Sequence, residues 1–411
     1  MKEKTQKNTF KTAELFCGIG GFRLAADALN IKTIWANDLE EMAATVYIHN
    51  FGEENFYKGN ICDLSNDIPN HDILTAGFPC QPFSSAGKKM GIGDRRGTLF
   101  SEIVKILHEK KPRFFILENV KRLLSMDSGR HFIIILNALT QAGYAVEWRV
   151  LNTIWFGLPQ YRERIIIVGW QNRDHCSYLY HPDQQINQNL NDSVKLNTDS
   201  IQKIIEHQYK FKSWGLAWED FVIDQDLKSP PCLINPEIRL HHILEENPDL
   251  TFFFTEDTLK RIEKSEKVDR YFNGVEILYN QKGGARMGYS VFGINGVAPT
   301  LTSTTSRHYE RYKIGNHYRR LTNIEYARLQ GFPDGHCQKI SPYHQYKLFG
   351  NAVSPPLVKW VMNRLVQKYY SPVVLNQSVS TQQLELFSVF PDALPSTTDH
   401  IPAEMITTNT P

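Results

Sequence analysis

The chain has 411 residues, of which 41% are hydrophobic and 22% charged, a composition typical of a globular protein long enough for two domains. Its formal net charge of +2 neither indicates nor excludes a nucleic-acid partner. The six cysteines contain no CxxC pair and no apolar run is long enough to span a membrane, so we expect free thiols in a reducing cytoplasm, with no metal and no membrane partner.

A glycine-rich turn follows the first predicted strand. Residues 12–16 are predicted to form a strand, 17–21 read Cys-Gly-Ile-Gly-Gly, and 22–29 have a helical pattern. A strand, a glycine-rich turn and a helix form a cofactor-binding opening, because glycines let the backbone approach a ligand closely. The dinucleotide fingerprint GxGxxG would place its third glycine at Arg23, so the pattern predicts no pyrophosphate cradle and leaves an adenosyl ligand without phosphates open.

An acidic residue ends the second predicted strand. Residues 33–37 lead to Asp38, which lies twenty residues after Gly18. At this offset a carboxylate can accept hydrogen bonds from the hydroxyl pair of a ribose. The alternative is a cap for a helix beginning at Leu39, and the two roles are compatible.

Strands and helices continue to alternate as far as residue 170. Further strands are predicted at 72–76, 113–117, 145–151 and 165–170, and helices near 98–110 and 129–142. This alternation predicts an α/β fold with a doubly wound, mostly parallel sheet and helices on both faces. Asn60, Ile61 and Asp63 precede the strand at 72–76 and are expected at the same sheet edge.

A cysteine between two prolines follows the strand at 72–76. Residues 77–84 read Gly-Phe-Pro-Cys-Gln-Pro-Phe-Ser, which places Cys80 on a conformationally restricted loop after a strand. Functional sites of parallel α/β sheets form at this end of the strands. A buried structural cysteine is the alternative, because free cysteine is among the most buried residue types.

Charged side chains stand beside two other predicted strands. Glu118 follows the apolar strand at 113–117. Burying a carboxylate there costs free energy unless the group is paired or has a function, so we expect a functional residue, with a structural salt bridge as the alternative. Arg162 and Arg164 precede the strand at 165–170 and share one face if that strand begins there.

The regular alternation then ends. Residues 171–318 are polar and become rich in glycine, hydroxyl and arginine side chains towards their end, which suits phosphate and base contacts but also occurs in solvated loops. Thr322 and Glu325 predict a capping box, and 357–369 predict a closing helix. The Ser/Thr/Pro/Gln-rich residues 371–411 predict a disordered tail.

Six sequence blocks together resemble the DNA (cytosine-5)-methyltransferases. They are similar to the family's cofactor loop, its cysteine loop, its second and third catalytic motifs and two blocks that return the chain to the catalytic domain, at residues 16–22, 77–84, 118–120, 160–164, 319–334 and 350–353. Each block alone is weak, whereas six in family order, with the variable region in its usual place, are specific.

The resemblance implies S-adenosylmethionine as methyl donor and two domains with DNA between them. Residues 1–172, completed by about 346–370, would form the catalytic domain. Residues 173–345 would form the target-recognition domain together with the chain that leads back to the catalytic domain. The family usually has an aspartate, which accepts from the adenine amino group, at the position where this chain has Asn60. Asn60 could still accept this hydrogen bond through its amide oxygen, or Asp63 could substitute for it. By family position the cofactor residues would be Phe16, Gly18, Ile19, Gly21, Asp38, Leu39, Asn60, Ile61, Pro79, Leu99, Asn351 and Val353.

The resemblance also implies a covalent mechanism. Cys80 would add to C6 of a cytosine flipped out of the duplex, which makes C5 nucleophilic enough to take the methyl group. Glu118 would hold the N3 and amino edge of the base, and Arg164, supported by Arg162, would hold O2. A loop at 84–97 would close over the DNA. The DNA-binding residues would be Ser84, Lys88, Lys89, Arg95 and Arg96.

Two other functions fit parts of the pattern. A tRNA cytosine-5 methyltransferase of the related type would keep the same catalytic residues, but the long segment 171–318 favours a domain that recognises duplex DNA. A catalytically silent DNA-binding regulator is disfavoured by the intact set of Cys80, Glu118 and Arg164. By family analogy we expect a monomeric modification enzyme of a bacterial restriction-modification system, paired with a cognate restriction endonuclease.

Overall fold

The computed structural model describes residues 10–79, 99–171, 179, 194–195, 209–219, 221–227, 229–280, 290–302 and 310–370. Six predicted site residues lie outside these ranges, namely Cys80, Ser84, Lys88, Lys89, Arg95 and Arg96, and so does the predicted tail at 371–411. In the described ranges, no helix combines the length and the apolar character needed to cross a membrane.

The described strands belong to two sheets. The large sheet contains β1 Lys11–Leu15, β2 Lys32–Asp38, β3 Phe56–Lys58, β4 Ile73–Gly77, β5 Phe114–Val120, β6 Ala145–Asn152, β7 Glu163–Trp170, β8 Val194–Lys195, β9 Trp214–Trp218 and β10 Phe221–Gln225. The small sheet contains β11 Glu266–Phe272, β12 Val275–Asn280, β13 Ser290–Phe292, β14 Arg311–Ile314 and β15 His317–Arg319. The α-helices are α1 Gly21–Asp27, α2 Glu41–Phe51, α3 Ile61–Leu64, α4 Leu99–Lys110, α5 Arg130–Gln141, α6 Glu256–Glu263, α7 Asn323–Gln330, α8 Pro342–Asn351 and α9 Pro355–Tyr370.

The strand directions bring distant segments to one edge of the large sheet. Its order is β3-β2-β1-β4-β5-β7-β6-β9-β10-β8, and the first five strands run parallel, so their carboxyl ends share that edge. β7 runs antiparallel to β5 and pairs Arg164 with Val120. The beginning of β7 therefore lies beside the end of β5, where Glu118 stands.

Helices cover both faces of the parallel half. Successive side chains of a strand point to opposite faces. On β5, Phe115 packs in the same buried cluster as Ile106 of α4 and Leu136 of α5. Its neighbour Phe114 instead contacts Tyr369 of α9, with 6.0 Å between ring centroids. The predicted α/β class, with helices on both faces of a large sheet, is thereby confirmed.

The large sheet continues past the predicted domain boundary at residue 172. β9 pairs with β6, and β10 and β8 follow it, so strands from 194–225 extend the sheet of the predicted catalytic domain. The small sheet is formed entirely by residues 266–319. The division of the chain into a catalytic and a target-recognition domain stays a prediction.

A capping box starts α7, as predicted. The Thr322 hydroxyl accepts from the Glu325 N–H at 3.1 Å, and the Glu325 carboxylate accepts from the Thr322 N–H at 2.7 Å. The fully buried Glu325 also pairs with Arg319 at 2.7 Å, which compensates its desolvation. These contacts fix the start of the helix whose last residue, Gln330, contacts the wall of the site described below.

Candidate active site

One cavity at the carboxyl edge of the parallel strands gathers the predicted residues. Its volume of about 580 Å³ is in the range of small-molecule sites. It is lined by all the residues predicted for the cofactor and by three predicted for catalysis: Phe16, Gly18, Ile19, Gly21, Asp38, Leu39, Asn60, Ile61, Pro79, Leu99, Asn351 and Val353, with Glu118, Arg162 and Arg164. The lining includes Pro79, the residue before Cys80.

The turn at 17–21, called here the cofactor loop, leaves room for a ligand and for close contact with residues 350–353, called here the return segment. The Cys17 N–H donates to the Asn37 carbonyl at 2.9 Å, which ties the loop to the end of β2. Gly18 has a left-handed φ of 55°, and a Cβ built on it meets no protein atom within 4 Å. A Cβ on Gly21 would instead lie 2.3 Å from the Val353 carbonyl oxygen. Gly18 therefore leaves open space beside the loop, whereas Gly21 allows the loop to pack closely against Val353 in the cavity wall.

Asp38 ties the cofactor loop to the start of α2 through its two carboxylate oxygens. Oδ2 accepts from the Gly18 N–H at 2.7 Å, and Oδ1 accepts from the Glu40 N–H at 2.8 Å, just before α2 begins. Burial raises the pKa of Asp38, while these two N–H donors oppose the shift. Each carboxylate oxygen has a further lone pair, so this carboxylate can also accept from a ligand hydroxyl.

The side chains that follow β2 and β3 fit an adenosyl group. Asn60 lines the cavity while its Oδ1 accepts from the Cys62 N–H at 3.1 Å, and Asp63 is not among the lining residues. Leu39 also lines the cavity, with an exposed fraction of 67% that leaves its apolar side chain open to a ligand. An apolar wall, an amide and a carboxylate suit an aromatic base and a ribose, and the open space over Gly18 gives them room.

An ion pair lies in the opposite wall. Arg164 Nε is 3.1 Å from Glu118 Oε1, and both side chains are less than 15% exposed. Burial raises the pKa of Glu118, while Arg164 and then Arg162 oppose that shift. Burial likewise lowers the pKa of Arg164, opposed by Glu118. The salt bridge weighed for Glu118 is therefore present, but it lies in the cavity wall.

Asn119 fixes the chain that leads to the cysteine loop. Its side chain is 3% exposed, its Nδ2 donates to the Phe78 carbonyl at 3.0 Å, and its Oδ1 accepts from the Val120 N–H at 2.8 Å. The backbone just before Pro79 is thereby tied to the end of β5. Asn119 lies within the block at 118–120, but no role was predicted for it.

Arg162 ties the return segment to the start of β7. Its Nη1 donates to the Leu301 carbonyl, and its Nη2 donates to the carbonyls of Gly350 and Ala352, each at 3.0 Å. Burial, together with the smaller effect of nearby Arg164, lowers the pKa of this fully buried guanidinium to about 9, and Glu118 opposes the shift. Arg162 therefore holds the wall that carries Asn351, whereas Arg164 pairs with the carboxylate.

Two buried glutamines extend this network. Gln160 Nε2 donates to Gln330 Oε1 at 2.9 Å, and Gln160 Oε1 accepts from the Leu301 N–H at 3.0 Å. Gln330 Nε2 donates to the carbonyls of Phe349 and Ala352. No role was predicted for either side chain, although Gln160 is the first residue of the block that contains both arginines. No local pattern distinguishes Gln330, whose partners are distant in sequence.

Known proteins resemble this chain over most of its length. The family model for the C-5 cytosine-specific DNA methylase matches residues 10–367. The type II methyltransferase M.HaeII of Haemophilus aegyptius is 35% identical over 376 residues, covering 89% of this chain and 98% of that protein. M.NgoBI of Neisseria gonorrhoeae is 37% identical over 352 residues, covering 85% and 91%, respectively.

Solved structures share the fold at lower identity. A mutant DNMT2 from Spodoptera frugiperda superposes with a TM-score of 0.59 at 20% identity, covering 87% of this chain and all of that one. The S. pombe Dnmt2 methyltransferase gives a TM-score of 0.57 at 16% identity, covering 88% and 99%. At these identities the likeness concerns the fold alone.

Proposed function

Because the chain belongs to the C-5 cytosine-specific DNA methylase family, we propose that it transfers a methyl group from S-adenosylmethionine to C5 of a flipped-out cytosine in a specific double-stranded DNA sequence. The observation that supports this most is the Glu118–Arg164 ion pair in the wall of the cavity lined by every predicted cofactor residue. The type II relatives support a further proposal, a monomeric cytoplasmic modification enzyme that works beside a cognate restriction endonuclease.

The cofactor side of the cavity would bind the adenosyl group. S-adenosylmethionine, when bound, supplies an electrophilic methyl group on a sulfonium. Asp38 would accept from the ribose hydroxyls while it continues to hold the cofactor loop. Asn60 would accept from the adenine amino group through its amide oxygen, since Asp63 does not line the cavity. Leu39 would offer its exposed apolar side chain to the purine ring.

The other side would activate the base. The Cys80 thiolate forms a bond to C6, and the electron pair of the C5–C6 double bond shifts towards C5, which becomes the nucleophile. An unperturbed thiol has a pKa of about 8.5, so the addition is coupled to proton transfer onto the base. Glu118 suits this transfer, because burial raises the pKa of its carboxyl, so that it takes up a proton more readily than an exposed glutamate and can donate that proton to N3. After C5 is methylated, solvent takes the C5 proton, the carbon–sulfur bond breaks and releases the Cys80 thiolate, and N3 returns its proton to Glu118.

The remaining roles concern positioning and DNA contact. Arg164 would donate to O2 of the base and offset its developing negative charge. Arg162 would not touch the base and would act through the carbonyls that it holds. Asn119 would position the segment before Cys80 through the Phe78 carbonyl. By family position we also propose DNA contacts from Ser84, Lys88, Lys89, Arg95 and Arg96.

Bisulfite sequencing of host DNA after expression tests the substrate. We expect methylated cytosines in one sequence context. Unmodified cytosines throughout, with soluble protein that binds S-adenosylmethionine, would contradict the DNA substrate, and methylated tRNA would identify the RNA alternative.

Trapping on DNA with 5-fluorocytosine tests the nucleophile, because fluorine cannot leave as a proton does and the adduct persists. With S-adenosylmethionine present, we expect a stable adduct for the native chain and for Cys62→Ser, which changes an exposed thiol. We expect none for Cys80→Ser. Equal trapping by the Cys80→Ser variant would show that Cys80 is not the nucleophile.

A further inference from the structure

His336 is a buried histidine that contacts the cofactor loop from outside the cavity. It is 2% exposed, and its ring centroid lies 4.8 Å from that of Phe332 and 6.0 Å from that of Phe51. Its Nε2 is 2.6 Å from the carbonyl oxygen of Ile19. A carbonyl oxygen only accepts, so Nε2 carries the hydrogen and donates. Burial lowers the pKa of His336, which favours the neutral ring.

The accepting carbonyl belongs to a residue that lines the cavity. Ile19 is itself buried and lies in the cavity wall. The peptide group between Ile19 and Gly20 is also fixed at its other end, because the Gly20 N–H donates to the Cys17 carbonyl at 2.9 Å. His336 therefore completes the fixation of one peptide plane at the centre of the cofactor loop.

The backbone of His336 is held independently of its ring. Asn50 Nδ2 of α2 donates to the His336 carbonyl at 2.9 Å. Two residues later, Gln338 Nε2 lies 3.0 Å from His49 Nε2, which is also on α2. A change of the ring alone should therefore leave this segment docked on α2 and remove only the hydrogen bond to Ile19.

We propose that His336 is a positioning residue for the cofactor: by donating to the Ile19 carbonyl, it sets the conformation of the loop that S-adenosylmethionine contacts. This role rests on the proposed function. An aromatic ring without a donor would still pack between Phe51 and Phe332, but it would leave the Ile19 carbonyl without this partner in a buried place. Nothing in the spacing of residues predicted the contact, because its two partners are 317 residues apart.

Three variants separate the hydrogen bond from packing. His336→Phe keeps a ring without a donor, His336→Gln places an amide nitrogen near the position of Nε2, and His336→Asn has the same amide on a shorter side chain. We expect His336→Phe and His336→Asn to raise both the KM and the calorimetric Kd for S-adenosylmethionine about five- to thirtyfold, and His336→Gln to keep native-like values. We expect kcat and the KM for DNA to stay within about twofold in all three.

The outcomes separate the role of His336 from the proposed function. A native KM and Kd for S-adenosylmethionine in a folded His336→Phe or His336→Asn variant would refute the positioning role. An equal loss of cofactor affinity in His336→Gln and His336→Asn would refute it too. If His336→Phe does not fold, the comparison of His336→Gln with His336→Asn decides the question. A native chain that binds no S-adenosylmethionine would refute the proposed function and this role with it.

Discussion

Gly21 is the first residue of α1 and touches the return segment, so Gly21→Ala measures the rigidity of the cavity wall. The added Cβ would lie 2.3 Å from the Val353 carbonyl oxygen and 3.1 Å from its carbon. Ordinary van der Waals contact requires the carbonyl to retreat by roughly 1 Å. That retreat is opposed, because Arg162 holds the neighbouring carbonyls of Gly350 and Ala352.

Overpacking of this kind costs about 1–3 kcal/mol, and alanine recovers up to about 1 kcal/mol through its helix propensity. We therefore expect Gly21→Ala to lower the free energy of unfolding by about 1–2 kcal/mol in urea denaturation. Because Val353 lines the cavity, we also expect the affinity for S-adenosylmethionine to fall about tenfold, which corresponds to 1.4 kcal/mol.

Gly143→Ala is the matched control, since Gly143 has a left-handed φ of 88° and open space around its Cβ position, away from the residues that line the cavity. Backbone strain should lower its unfolding free energy by about 1–2 kcal/mol without changing cofactor affinity. Native stability and native affinity in Gly21→Ala would refute the rigid wall.

Three further predictions concern buried polar groups. Burial raises the pKa of Glu14 from 4.5 to about 8, so between these pH values the folded chain keeps a proton that the unfolded chain releases. Urea denaturation of the native chain from pH 5 to 8 should show an unfolding free energy that falls with rising pH, by at most about 1.4 kcal/mol per pH unit for this group. Glu14→Gln should flatten this slope, and equal slopes in the two chains would contradict the raised pKa of Glu14. Asn119→Ala removes the donor to the buried Phe78 carbonyl, and we expect about 1–3 kcal/mol less stability with slower 5-fluorocytosine trapping, whereas a native trapping rate would exclude a positioning role. Arg162→Met leaves three carbonyls without their guanidinium partner, so the unfolding free energy should drop by on the order of 3 kcal/mol, with a smaller loss in Arg162→Lys; a loss below about 1 kcal/mol would show that water replaces these bonds.

The sequence alone determined the elements whose cause is local. The sequence pattern predicted each strand from β1 to β7 except the short β3. Most of the predicted strand ends lie within two residues of the observed ends. The capping box at Thr322 was predicted because its two hydrogen bonds join residues three positions apart. The family resemblance also supplied the predicted cofactor residues and Glu118, Arg162 and Arg164, all of which line the cavity.

The tertiary structure decided which of these groups meet. The bonds of Gln160 with Gln330 and of His336 with Ile19 cross 170 and 317 residues, respectively, so no local spacing could indicate them. The direction of β7 is a second case, because the pattern of side chains along a strand is the same whichever way that strand runs. Only its antiparallel pairing with β5 brings Arg164, at the beginning of one strand, to Glu118, near the end of the other.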